Sequence, residues 1–410
     1  MKALVARLAA RSLQELMTKR EGVRYRAPEL GEILVGVREP AYRLVLTCFP
    51  FPGPKAITST WTGFRGQVRA TPVTRNGARE FPILDPGMRD QRDRSEEASA
   101  TMTTVFTSAL GVPIDSEGLE EGCNRMPEAL RRSGLIATLG VRDLGDVEAG
   151  PVRGPRDPLT GVRGPAEVAA VSLRLRDALL PLLRSGERPL VVGGCCAVLL
   201  GAGLAVREVA GRAGLAFVDG HEDFYDGQSS LSGCVADMEL AIVTGHGPAG
   251  LLPDAPGAPL FRDEDAMALG IRDSTIARDN ESPDPRRLAP GLRIIESASL
   301  LADGPGRTGQ RVAAELADGP GRFWLHVDLD VIDGEAMPAV DDPLPGGPDW
   351  RQTAELLRPL LLSPALLGAD VTILNPSLDP GDRYARRVVD LLATAGEAPV
   401  NHGPDLERAG

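Results

Sequence analysis

From Met102 onward the chain alternates short apolar runs with stretches of helical periodicity, and three of the runs end in acids, imidazole or thiols. The runs are VFTSALGV (105–112), IATLGV (136–141), PLVVGG (189–194), LAFVDG (215–220), MALGI (267–271), LRIIE (292–296), FWLHVDLDV (323–331) and LGADVTIL (367–374). Helices are predicted around 126–133, stopped by Gly134, over 165–184, closed by Ser185 and Gly186, and over 197–210. Continuous apolar strands alternating with helices imply a mostly parallel sheet buried on both faces, a three-layer α/β/α arrangement. In such sheets chemistry sits at the carboxyl ends of the strands. The residues that directly follow the apolar runs are therefore the ones to read for function.

Three strand ends stand out. They are Gly193-Gly194-Cys195-Cys196, Asp219-Gly220-His221-Glu222-Asp223 and His326-Val327-Asp328-Leu329-Asp330. If strand geometry persists, the alternation of Asp219, His221 and Asp223 points three ligand types one way, and Asp328 and Asp330 do the same on another strand. Four carboxylates and an imidazole gathered at one sheet edge repel strongly without a cation. A pair of divalent metals bridged by carboxylates removes that cost. Glu222 is expected to point away into solvent, and Asp333 to form a turn. His326 shares the face of Asp328 and Asp330 by even spacing and is not counted among the ligands. His246 and His402 are read as loop residues. The repeated heptad LADGPGR, at 301–307 and 316–322, is too short for a solenoid and is read as drift around a helix.

Residues 1–101 have another character. They hold 17 Lys and Arg against 11 Asp and Glu, whereas the rest of the chain holds 28 against 46. Every lysine lies in this segment. Residues 3–17 suit one amphipathic helix, and 48–100 lack sustained periodicity, with a polar linker-like end at 89–100. The segment is expected to be a poorly ordered extension of doubtful authenticity, and Met102, three residues before the run VFTSALGVPID, is the favoured chain start over a real extension. The body is expected over 102–398, followed by a tail at 399–410. No run approaches the ~20 apolar residues of a membrane span. With a net charge of -12 and no basic patch, neither nucleic acid nor a membrane is expected as a partner. Five cysteines, two of them adjacent, do not suit a secreted disulfide framework.

The three motifs, GGCCA, DGHED and HVDLDVIDG, occur in the order of the signatures of the ureohydrolase superfamily, which the chain resembles: arginase, agmatinase, formiminoglutamase and relatives. ALGVPIDSEGLEEGCNRMPEALRRSGL, ALGIRD (268–273) and DVTILNPSLDP (370–380) extend the resemblance over about 105–395. It implies an arginase-like domain with two divalent ions, manganese in most relatives. One ion would be held by Cys196, Asp219, Asp223 and Asp328, the other by Asp219, His221, Asp328 and Asp330, with Asp219 and Asp328 bridging. A hydroxide between the ions would attack a guanidinium carbon, and Asp223 would orient it and pass its proton to the leaving amine. Ser232 and Tyr225 would contact the substrate. A cytoplasmic homo-oligomer, trimer or hexamer, is the family expectation.

The chain departs from the family pattern at defined places. Cys196 stands where the first metal's histidine is expected, and a thiolate favours zinc or iron(II) over manganese. Ala236 falls where a proton-shuttling histidine is expected. Tyr225 replaces a substrate-contacting asparagine. Ile373 replaces a glutamate that pairs with the guanidinium, so an expected charged partner is missing. The implied activity is hydrolysis of a C–N bond in a guanidine or amidine, with arginine, an N-substituted arginine, agmatine or a formimino compound as candidate substrates. The alternative is a non-catalytic relative that binds a metabolite or serves as a structural partner.

Overall fold

The computed structural model describes residues 105–118, 122–149, 152–252 and 259–397, and the backbone of five strands between residues 23 and 71. The five strands β1 (Val23–Ala27), β2 (Gly31–Arg38), β3 (Arg43–Phe49), β4 (Ile57–Phe64) and β5 (Gln67–Thr71) form an antiparallel meander in sequence order. The sequence reading placed no strand there. The helix expected over 3–17, the tail at 399–410 and His402 lie outside the described residues. The chain divides into two units, Met1–Glu97 and Ala98–Gly410.

The second unit is built on one eight-stranded sheet. Its strands are β6 (Ser108–Val112), β7 (Arg142–Asp146), β8 (Pro189–Gly193), β9 (Gly214–Val218), β10 (Ala266–Ile271), β11 (Arg293–Glu296), β12 (Phe323–Asp328) and β13 (Leu366–Thr372). The spatial order is β11-β10-β9-β12-β13-β8-β6-β7, and every neighbouring pair is parallel. Every residue of β6, β8, β9, β10 and β12 is buried, so both faces of these strands are covered. The edge strands β7 and β11 read RDLGD and RIIE and are largely exposed. Their charges blunt edges that would otherwise template further pairing. Helix Pro165–Arg184 packs on Val198–Ala210, and Pro305–Asp318 packs on Trp350–Leu361, which packs on Arg383–Gly396. Proline opens the first and third of these at a position whose N–H would be unpaired anyway. Among the described residues no helix is long and apolar enough to cross a membrane.

Two boundaries differ from the sequence reading. Residues 136–141 are not a strand: Leu135–Leu139 is a helical turn set between Gly134 and Gly140, both left-handed at φ 93° and 62°. The strand follows at β7, whose polar edge sequence carries no apolar signal. The strand expected over 323–331 ends at Asp328 and passes into a 3-10 turn, Leu329–Val331. Both copies of LADGPGR end a helix at their aspartate, at Asp303 and Asp318, with the next glycine outside it.

Candidate metal centre

Strand β9 stops at Val218, and the Asp219 carboxylate that follows accepts the His221 N–H at 2.7 Å. Strand β12 runs to Asp328, whose carboxylate accepts the Asp330 N–H at 2.7 Å. The device is the same in both: an aspartate closes a turn on the amide two residues on and bends the chain back over the strand end. The two ends are side by side, because Val218 and Val327 are register partners. The Gly220 N–H donates to Asp330 Oδ1 at 3.1 Å and ties the turns together. A Cβ at Gly220 would lie 2.7 Å from Arg272 Nη1, so no larger residue fits without a shift. Strand alternation therefore does not carry the motif past Val218. Asp223 sits in the left-handed region at φ 41°, which aspartate tolerates better than most residues.

Strand β8 supplies the third element. A Cβ at Gly194 would lie 1.9 Å from the Ile114 carbonyl oxygen, so the glycine lets two backbones touch. Of the paired thiols, Cys195 turns away and exchanges hydrogen bonds with Ser116. Cys196 turns inward, with Sγ 2.7 Å from Asp328 Oδ2 and 3.1 Å from Thr372 Oγ1. Cys196, Asp219, His221, Asp328 and Asp330 thus meet at the carboxyl ends of β8, β9 and β12, and Asp223 is buried near Asp219 and Asp330 without joining either group of close donors.

The electrostatics describe a site short of positive charge. His221 Nδ1 is 2.8 Å from Asp330 Oδ2 and 3.7 Å from Asp219 Oδ1. Burial alone would lower the His221 pKa, but these two carboxylates hold it well above the usual imidazole value. Burial pushes the Asp330 carboxyl up, and His221 and Arg272 more than reverse this, leaving it lowered. The carboxyls of Asp219, Asp223 and Asp328 are raised, by burial first and by neighbouring acids second. Burial also drives the Cys196 thiol well up. Proton uptake or a bound cation relieves such a cluster.

One residue that the sequence reading did not name, Glu239, and one that it named but did not count as a ligand, His326, belong to it. Glu239, first residue of the short helix Glu239–Val243, is fully buried with its carboxyl beside that of Asp223. Its only sequence signal is an acid opening an otherwise apolar run. His326 lies on β12, and its Nδ1 is 2.5 Å from Asp370 Oδ1. Its signal was the cost of a histidine inside a fully buried strand. Two donor groups have atoms within 4.8 Å of one another: Cys196, Asp219, Glu239 and His326, and Asp219, His221 and Asp330. Asp219 Oδ2 and His326 Nε2 are buried without a hydrogen-bond partner. Buried acceptors left unpaired are costly, and a divalent cation satisfies several at once, so the residues present fit metal ions.

Elsewhere the readings divide. Glu222 does point away, but it is buried rather than solvated, paired with Arg286 Nη1 at 2.6 Å and accepting from Ser274. Asp333 is a turn former, accepting from the N–H groups of Glu335 and Gly346. His246 sits in a loop 3.0 Å from Asp263. The Ser232 hydroxyl donates to Asp237 Oδ2 at 2.5 Å, and the Tyr225 hydroxyl accepts from Asn280. Arg272, in ALGIRD, reaches the carbonyls of Asp330, Ile332 and Leu344 and clamps the loops under the site.

Comparison with known proteins bears on the family and the fold. The sequence profile described as the arginase family matches residues 107–396. The arginase of Bacillus caldovelox is 26% identical over 293 residues, covering 70% of this chain and 96% of its own. The arginase of Agrobacterium fabrum is 29% identical over 300 residues, covering 70% and 89%. The solved Bacillus caldovelox arginase superposes with a TM-score of 0.63 at 25% identity, over 72% of this chain and 99% of that one. With its profile match spanning the whole parallel-sheet unit and its acids gathered at the strand ends, the chain belongs to the arginase family.

Proposed function

We propose that this chain is a metal-dependent hydrolase of C–N bonds in guanidines or other linear amidines, releasing urea or a related product. The observation that carries the reading is the buried cluster at the ends of β8, β9 and β12, with unpartnered carboxylate and imidazole atoms facing one another. By family resemblance, Cys196, Asp219, Asp223 and Asp328 would hold one divalent ion, and Asp219, His221, Asp328 and Asp330 the other. When bound, such ions supply a lowered pKa for water and polarisation of the substrate. Asp223 takes the proton of the attacking water and delivers it to the departing amine nitrogen, so water adds to the amidine carbon as the C–N bond breaks. Burial first, and Glu239 beside it second, keep the Asp223 carboxyl basic enough to receive a proton. Arg272 holds the loops of Asp219 and Asp330 rigid, and Tyr225 and Ser232 line the substrate side.

Manganese is the family metal, and Cys196 favours zinc or iron(II). Arginine is the default substrate by resemblance, with an N-substituted arginine, agmatine or a formimino compound as alternatives. Ile373 in place of an acid weighs against a simple guanidinium clamp. The same resemblance supports a cytoplasmic homo-oligomer, trimer or hexamer. A non-catalytic, metabolite-binding relative is favoured by Cys196, Ala236 and Ile373, and by a Ser232 hydroxyl already committed to Asp237. Metal analysis of the purified protein, followed by urea release from a panel of guanidines, separates the two. Bound metal with turnover supports the hydrolase; bound metal with no turnover on any member supports the alternative.

A further inference from the structure

We propose that the ion served by Cys196 is held in this chain by Cys196, Asp219, Glu239 and His326, a mixed thiolate, carboxylate and imidazole set seated deeper than the Asp219, His221 and Asp330 group. This rests on reading the cluster as a metal centre, and it changes which residues complete one of the two positions. The four side chains are 0–1% exposed. Their donor atoms lie within 4.8 Å of one another. A tetrahedral site with ligand bonds of about 2.0–2.3 Å needs donor separations of about 3.3–3.8 Å, so a small inward rotation of each side chain closes it.

His326 is set up as a ligand. Asp370 engages Nδ1 at 2.5 Å, and the Trp324 indole N–H donates to the other Asp370 oxygen at 2.5 Å. Phe217 stacks on the ring, centroids 4.8 Å apart and planes 20° from parallel. A carboxylate that holds one ring nitrogen and a wall that fixes the ring plane leave the other nitrogen free to coordinate, as in metal-binding histidines generally. That nitrogen, Nε2, has no hydrogen-bond partner and faces Asp219 Oδ2, equally unpartnered, at 3.9 Å. The separation is too long for a hydrogen bond and suits two ligands on one ion. Glu239 adds a fully buried carboxylate that has the Asp223 carboxyl beside it, and Cys196 adds the thiol. A sulfur and an imidazole with carboxylates select zinc or iron(II) rather than manganese.

The test uses full-length protein loaded with zinc, or with cobalt(II) for spectroscopy. His221→Asn removes the imidazole of the other position and leaves His326 as the histidine of the centre. We expect it to retain one equivalent of zinc whose X-ray absorption shows one sulfur at about 2.3 Å and one imidazole at about 2.0 Å on the same ion. The cobalt protein should show a thiolate charge-transfer band, lost in His326→Gln and Glu239→Gln together with one equivalent of metal. The second equivalent, kept by those variants, reports that they are folded. If either variant unfolds, the His221→Asn absorption spectrum decides alone. A retained ion without sulfur or without imidazole overturns the proposal and means that His326 pairs with Asp219 as an imidazolium. If wild-type protein binds a single ion that Asp330→Asn abolishes, the proposal falls while the hydrolase reading stands. If wild-type protein binds none, both fall.

Discussion

Asp219 and Asp328 leave neighbouring parallel strands at the same level, because the residues before them, Val218 and Val327, are register partners. Each carboxylate closes a turn with one oxygen, on His221 and Asp330 respectively. The second oxygen of each faces the pocket: Asp219 Oδ2 is unpartnered and Asp328 Oδ2 takes the Cys196 thiol. One oxygen builds the loop and the other is left for a ligand. Asp328→Ala should therefore lower metal affinity by more than the roughly 10–100-fold cost of losing an outer-sphere partner. Activity should fall with it. Metal content unchanged after dialysis, with native circular dichroism, would show that Asp328 is a ligand of neither ion.

Cys196 must lose its proton to act as a ligand, yet burial raises its pKa well above the ordinary thiol value. Only a cation beside it reverses that preference, so binding should release a proton and strengthen as pH rises. Cys196→His should shift preference from zinc towards manganese, at an overpacking cost of about 1–3 kcal/mol because the thiol is already 3.1 Å from Thr372. Competition titrations of the two metals read the change. An unaltered zinc-to-manganese ratio in a folded variant would remove Cys196 from the ligand set.

Ile373 follows β13 directly, donates its N–H to the Gly194 carbonyl at 2.8 Å and has φ 73°. A β-branched residue there is strained by about 1–3 kcal/mol, and such strain is held where surroundings over-determine the backbone. Ile373→Glu restores a carboxylate to a position where the family resemblance expects one. A hydrogen bond to a charged group contributes about 1.5–3 kcal/mol, so kcat/KM on cationic guanidines should rise by roughly 10–150-fold. Neutral amidines should gain nothing. Equal changes on both classes would mean that Ile373 does not face the reacting group.

Among the described residues, the strands before residue 102 are not part of the eight-stranded sheet, and the candidate ligands all follow that residue. We propose that residues 1–101 are dispensable for the centre, although removing them deletes a five-stranded antiparallel sheet. Protein beginning at Met102 should keep the metal stoichiometry and the main melting transition of full-length protein. Loss of either would make the first hundred residues part of the functional fold.

The parallel-sheet core was legible because a strand buried on both faces must be mostly apolar, as PLVVG and GLAFV are throughout and FWLHVD is up to His326. Edge strand β7 was not, since an exposed edge is free to be polar. The antiparallel strands β1 to β5 were hidden for a related reason: Pro, Gly, Thr and Arg break the apolar pattern around them. At the site, Asp219, His221, Asp328 and Asp330 were legible because they directly follow core strands. Glu239 was not, because it arrives from a helix about 20 residues along the chain, and only the tertiary fold carries it back. His326 was visible and undervalued: its significance lies in Asp370 and Trp324, one from the next strand and one on its own.

The pH dependence of the metal-free protein follows from the direction of these shifts. Burial lifts Asp273 from 3.8 to about 6, with His221 opposing. Burial also raises Asp219, Asp223, Asp328 and Glu239, and neighbouring carboxylates raise His221 and His326 against the effect of burial. A group with a folded pKa above its unfolded value binds more protons when folded. Its stabilisation is complete below the unfolded value and disappears as pH rises through the folded one. For Asp273 that window runs from 3.8 to about 6, and a shift of about two units corresponds to roughly 3 kcal/mol. Asp330, with a lowered pKa, acts in the opposite sense, losing its contribution as pH falls through its folded value. Chelated protein should therefore melt at a higher temperature near pH 5 than near pH 8, with the slope of a net proton release on unfolding. Metal should reverse the trend, because its ligands bind deprotonated and the loaded protein gains stability as protons become scarce. Melting curves of chelated and zinc-loaded protein across this range decide it. Parallel pH profiles for the two forms would mean that the buried acids and imidazoles are not coupled to metal binding.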